Sequence, residues 1–226
     1  MTTSPLRIPL PLCVLCIGLM CASAHAAHLV EVRTADDETV MAVWRDGEVE
    51  YKDTGTGPTA FKGGIDSAGE VIRAFDPPLD TAAAANPANY LLTSAADASY
   101  AAAVSPASVS RKTKVSGTDR GWPNCKCTLE HTFFLKLPKK LQPGATYTLA
   151  IAPAVNSDAA SREFTFDVCA SVSEAVHVNL IGYNPEITAM KSADLYLWLG
   201  DGGARDYSAY VGKKVSLYNT VTRARQ

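Results

Sequence analysis

The sequence predicts an all-β protein, an antiparallel sandwich followed by the partial start of a second sandwich. Three observations carry that expectation. Apolar and polar residues alternate with a period of two in short runs along most of the chain. Gly, Pro, Asn and Asp separate those runs and supply turn chemistry. Helical periodicity is nearly absent; residues 81–88 are Ala-rich and predict one helical turn, which Asn86-Pro87 stops.

Residues 1–26 stand apart from the fold. Arg7 gives a positive start, residues 8–20 are largely apolar, and Ala24-His25-Ala26 offers a small-residue cleavage site, with Ala22-Ser23-Ala24 as a second choice. The apolar run is short for a bilayer span, and no later segment is more apolar. These residues are read as a cleaved signal peptide, so the protein is expected to be secreted or periplasmic, with no membrane partner after cleavage. Without Arg7 the chain carries 20 Lys and Arg against 23 Asp and Glu, a net charge of −3. No basic run marks a nucleic-acid surface, so nucleic acid is not an expected partner.

Residues 27–172 are read as the first sandwich. Strands are expected over 29–33, 40–45, 71–75, 90–93 and 109–114. Further on, Phe133, Leu135 and Leu137 share one strand face with Lys136 opposite, and Tyr147, Leu149 and Ile151 share another, as do Phe164, Phe166 and Val168. Leu141-Gln142-Pro143-Gly144 reads as a turn in which Pro sets the first corner and Gly permits positive φ at the second. A boundary falls at 171–173, and residues 173–226 form the second segment. There a strand is expected from Val176, broken at Gly182 to Pro185. Leu195, Leu197 and Leu199 alternate with Tyr196 and Trp198, which predicts a strand buried on both faces. Residues 200–206 read as a loop and 214–219 as a last strand.

Cys125, Cys127 and Cys169 remain after the leader is removed, in a compartment that permits disulfides. A Cys-x-Cys pair does not readily bridge itself, so Cys169 is expected to pair with Cys125 or Cys127, leaving one thiol over. Three Cys without a nearby fourth ligand make a poor zinc site.

Val176-His177-Val178-Asn179-Leu180-Ile181-Gly182-Tyr183-Asn184-Pro185 carries a motif, with Lys191 beyond it. This stretch resembles the opening strand of the N-terminal immunoglobulin-like module of family 9 glycoside hydrolases, the cellulase group, whose pattern is apolar-x-Val-Asn-Gln-apolar-Gly-Tyr-x-Pro. Leu180 stands where Gln is usual. The signature residues Val178, Asn179, Gly182, Tyr183 and Pro185 are structural ones: Gly182 lets the chain turn, Tyr183 covers the sandwich edge and Pro185 ends pairing. About fifty residues of a module that needs about eighty to a hundred are matched. The earlier segment looks like bacterial Ig-like modules through Val71-Ile72-Arg73-Ala74-Phe75-Asp76-Pro77-Pro78-Leu79-Asp80, Asn86-Pro87-Ala88-Asn89-Tyr90 and Pro143-Gly144-Ala145-Thr146-Tyr147-Thr148-Leu149. Together the resemblances imply the non-catalytic, Ig-like front of a secreted polysaccharide-degrading enzyme. In such enzymes the module does no chemistry and supports a catalytic barrel, here the expected partner in the same parent chain.

Catalytic residues are not expected in these 226 residues. Asp201 and Asp206 flank a Gly-rich loop and imitate a carboxylate pair, but Asp beside Gly is chiefly turn chemistry. An alternative is a free-standing carbohydrate- or surface-binding module. Trp122, in a loop beside Cys125, is its candidate sugar-stacking residue, with Trp44 and Trp198 the other tryptophans and Trp198 expected in the core. A third reading is a periplasmic copper carrier using His25, His28, His131 and His177, with His131 half-exposed on its strand. Cleavage after Ala26 removes His25 from that set, and neither a metal nor a cofactor is expected.

Overall fold

A computed structural model describes residues 26–51, 70–74, 78–118, 126–178, 184, 186, 192–219 and 221–225. Eleven strands are described: β1 His28–Asp36, β2 Thr39–Arg45, β3 Gly47–Tyr51, β4 Glu70–Ala74, β5 Tyr90–Thr93, β6 Ser108–Thr118, β7 Cys127–Lys136, β8 Thr146–Ile151, β9 Ser161–Thr165, β10 Val176–His177 and β11 Asp194–Leu195. A four-stranded antiparallel sheet runs in the order β1-β2-β7-β6, and a three-stranded one in the order β5-β8-β9. β3 and β4 form a separate antiparallel pair, as do β10 and β11. The all-β antiparallel sandwich expected from the alternation is therefore present.

Its core lies between the two larger sheets. Leu29, Val40, Ala42, Trp44, Phe133 and Leu135 face Tyr90, Leu92, Tyr147, Leu149 and Phe164 in one buried cluster. Trp44 is fully buried, edge-on to Phe133 at 5.5 Å between ring centroids, and its Nε1 donates to Ser157 Oγ at 2.9 Å. A buried indole is thus satisfied as well as packed.

The Pro-Leu-Asp and Asn-x-x-Asn-Tyr motifs do mechanical work. Leu79 enters the core, and Asp80 Oδ1 accepts from the Ala82 and Ala83 amides at 3.0 and 2.8 Å, capping the short helix α1 Thr81–Ala84. Asn86 caps the following 3₁₀ turn Pro87–Asn89 through Ala88 N at 3.0 Å. Tyr90 then drops into the core and its hydroxyl donates to Ala84 O at 2.7 Å. The turn at Gln142-Pro143-Gly144-Ala145 has Gly144 at φ +83° and the Ala145 amide donating to Gln142 O at 3.1 Å, the type II geometry expected.

The second segment differs from expectation. β10 and β11 are two residues each, and residues 214–219 contribute a single bridge, Tyr218 to Arg225. Residues 174–178 and 192–210 lie instead on the outer face of the four-stranded sheet. Ala175 and Leu197 are buried against Ala35, Met41, Val43 and Phe134, with Leu199 and Tyr207 packed at the margin. The run 195–199 is not buried on both faces: Leu197 is 4% exposed, whereas Tyr196 and Trp198 are 57% and 59% exposed. Alternation sets one side of this segment on the sheet and turns the other to solvent. β3 was not expected, and β9 ends at Thr165, before Phe166 and Val168.

Candidate binding cleft

Among the described residues, 192–210 bring most of the exposed aromatic rings together. Leu197 N-terminal to a tight reversal is answered by Arg205, whose amide donates to Leu197 O at 2.8 Å, while Leu199 N donates to Gly203 O at 2.8 Å. This small hairpin carries Trp198 on its outer side. His177 stacks on Tyr196 at 3.9 Å between centroids and 11° between planes. Tyr207 and Tyr210 meet edge to face at 5.8 Å. A cleft of about 480 Å³ opens here, lined among others by Tyr196, Trp198, Arg205, Tyr207, Ser208 and Tyr210, with aliphatic Leu195 and Val211.

One wall of the cleft is fixed by the acidic turn Asp36-Asp37-Glu38 between β1 and β2. Arg205 spans two carboxylates, its Nε 3.1 Å from Asp36 Oδ2 and an Nη 3.0 Å from Glu38 Oε2. The Tyr207 hydroxyl donates to Asp36 at 3.1 Å and the Tyr210 hydroxyl to Asp37 at 2.9 Å. Lys136 pairs with Glu38, and Lys140 pairs with Asp37 at 2.8 Å. Burial pushes the Asp37 carboxyl up, but Lys140 and Tyr210 outweigh it and hold it below the ordinary value. Lys136 does the same for Glu38. Burial and the Asp36 charge raise the Tyr207 phenol, so it remains a donor at neutral pH.

The two loop carboxylates are absorbed by backbone. Asp201 Oδ1 accepts from the Arg111 amide at 2.6 Å, and Asp206 Oδ1 accepts from the Ser208 amide at 2.8 Å. Trp198, expected in the core, is in fact exposed and lines the cleft. Val178 is exposed, while the other signature residues, Asn179, Gly182, Tyr183 and Pro185, lie outside the described residues, as do Trp122 and Cys125. Cys127 and Cys169 are free thiols, not joined to each other.

The histidines occupy separate environments. His28 Nδ1 is 2.6 Å from Asp158 Oδ2, at the start of β1. His131 is buried rather than half-exposed, between Thr113 Oγ1 at 3.0 Å and Asp46 Oδ2 at 3.4 Å. Burial lowers its pKa, so at neutral pH its Nε2–H faces Asp46 and Nδ1 accepts from the Thr113 hydroxyl. That order of groups imitates a nucleophilic relay, yet its parts are cross-strand neighbours serving a buried ring. His25 lies outside the described residues. Among the described residues, no group of three or more His, Cys, Asp or Glu converges to hold a metal.

Comparison of the chain with family models, with curated proteins and with solved structures finds no match.

Proposed function

We propose that this chain is a non-catalytic accessory part of an exported polysaccharide-degrading protein, and that it presents the aromatic cleft to the polysaccharide. The observation that carries this reading is the exposure of Trp198 beside Tyr196, Tyr207 and Tyr210 in one open cleft. Sugar rings stack on exposed aromatic faces, and Ser208 and Arg205 at the margin supply polar edges. The resemblance of Val176 to Pro185 to the cellulase-group module, and the leader-like residues 1–26, support the same setting. The exposed apolar residues Val211, Val215, Leu217 and Val221 support packing against a catalytic domain of the same parent chain.

Affinity electrophoresis of the purified chain through gels containing soluble β-glucans or xylan tests the reading. Migration is expected to be retarded, and Trp198→Ala is expected to abolish the retardation while leaving the circular-dichroism spectrum unchanged. Free migration through every glycan, or equal retardation of Trp198→Ala, would remove the cleft from the function.

A further inference from the structure

Residues 174–178 and 192–210 form a layer over the sandwich. Among its described residues only Ala175 and Leu197 are buried against the sheet beneath, with Leu199 and Tyr207 at the margin. A gap of about 290 Å³, lined among others by Asp36, Phe166, Ser173, Leu195 and Tyr207, remains between this layer and the sandwich. Between its ends the layer is pinned to β6 by Asp201, which accepts from the Arg111 amide at 2.6 Å, and charged groups attach it at two further places. Near the start, Glu174 pairs with Arg33 at 3.0 Å and with Lys112 at 3.1 Å, and Arg33 also meets Glu31 at 3.1 Å. Near the end, Arg205 joins the turn Asp36-Asp37-Glu38, where Lys136 and Lys140 complete the balance and the Tyr207 and Tyr210 hydroxyls donate to Asp36 and Asp37.

Arg205 holds this cluster together. Its side chain is 14% exposed, and among the described residues it is the one cation of the cluster that comes from the layer itself; Lys136 and Lys140 belong to the sandwich. Its planar fork reaches both Asp36 and Glu38, which an uncharged side chain would not do. Removing it would leave the sandwich's own pairs, Lys136–Glu38 and Lys140–Asp37, in place. Asp37 and Glu38 would thus remain partnered after the layer has left, while Asp36 would lose Arg205 and Tyr207 and keep the Glu38 amide at 2.9 Å.

We propose that residues 192–210 are a releasable strap, latched by charge through Arg205 onto the Asp36-Asp37-Glu38 turn, and that release bares the Met41, Val43 and Phe134 face while the sandwich stays folded. The strap also carries Tyr196, Trp198, Tyr207 and Tyr210, so latching holds the cleft walls in register. The latch itself does not depend on what enters the cleft, and its test reads strap position and not glycan binding.

Hydrogen exchange on the full chain, with Arg205→Gln and with the wild type in 20 mM and 600 mM NaCl, provides the test. In Arg205→Gln, and in the wild type at high salt, peptides spanning 194–210 are expected to exchange at least tenfold faster. Peptides from β7 and β8 are expected to exchange as before, and binding of an apolar dye should rise severalfold. Arg223→Gln, which removes an exposed pair with Asp167 elsewhere, should change none of these. Unchanged exchange over 194–210 in both arms would show that Leu197 and Ala175 hold the strap without the latch. Exchange rising in β7 and β8 together with 194–210 would show that strap and sandwich are one cooperative unit. Either result overturns the proposal.

Discussion

Replacing Tyr147 by Phe tests how the sandwich closes at the turn between β7 and β8. The Tyr147 ring is fully buried, stacked on Phe164 at 5.6 Å and edge-on to Tyr100 at 5.5 Å, and Phe preserves that packing. What is lost is the hydroxyl, which donates to Asp97 Oδ2 at 2.6 Å and accepts from the Gln142 amide at 2.7 Å. A hydrogen bond to a charged group contributes about 1.5–3 kcal/mol. The Gln142 amide also faces the Asp97 carboxylate, which stays as its partner in the variant. The expected loss is therefore about 2–3 kcal/mol, or roughly 4–12 °C in Tm for a domain of this size. The effect also carries a pH signature. Burial raises the Asp97 carboxyl, but the Tyr147 hydroxyl and the Ser99 amide outweigh it and hold it below its ordinary value of 3.8. A depressed carboxylate contributes stability at neutral pH that is lost as pH falls through its folded value. The gap between wild type and Tyr147→Phe should thus be full at pH 7 and narrow below about pH 4. Urea unfolding followed by circular dichroism at pH 7 and pH 3 measures it. A gap under about 0.5 kcal/mol at pH 7, or one of equal size at both pH values, would refute the reasoning.

Other substitutions probe separate links. Glu130 accepts from Lys114 at 2.7 Å and Arg45 at 2.8 Å on the outer sheet face, and these pairs overcome burial to depress its carboxyl. Glu130→Gln should cost about 1 kcal/mol at pH 7 and less below the ordinary glutamate value of 4.5, read from the same urea curves. Asp80→Ala removes the cap of α1 and should cost about 1 kcal/mol, whereas Asp80→Asn should recover most of it in thermal melts. Gly200 has φ +73°, and a Cβ there would lie 2.0 Å from Arg111 O. Gly200→Ala should lift the 200–203 loop from β6, which speeds exchange at the Arg111 amide and shifts the sandwich transition by less than about 1 kcal/mol.

Much of the sandwich was legible because period-two alternation survives wherever one face is buried. Tyr90 to Thr93 matches its expected strand, and the Pro143-Gly144 corner matches because only Gly takes φ +83° freely there. β3 escaped because Gly47-Glu48-Val49-Glu50-Tyr51 has one aliphatic residue and two acids, a weak apolar signal. The covered outer face also left a trace. Val40-Met41-Ala42-Val43-Trp44 is apolar without interruption, and Phe134 sits between Phe133 and Leu135. Strands apolar on both sides need cover on both sides. That run, and not the alternating 195–199, was the one buried on two faces. The burial of Trp198 was misjudged because alternation with two apolar sets gives a period without telling which set faces the protein. The cleft itself could not be read from the sequence, since Arg205, Tyr207 and Tyr210 meet Asp36 and Asp37 only through tertiary packing.

The hydrogen bond from the Arg111 amide to Asp201 has a bearing on solubility. β6 ends the strand order of the larger sheet, and an eleven-residue terminal strand is a template on which another molecule's strand can pair. Asp201 occupies one of the donors such a strand would need, and the Gly200-Asp201-Gly202 backbone lies close against Arg111 and Ser110. An intruding strand would have to displace a carboxylate, and would bring a backbone carbonyl toward the negative charge left at the rim. Losing Asp201 should therefore appear first as shortened lag times for intermolecular β-sheet growth under agitation, well before any fall in the midpoint of unfolding.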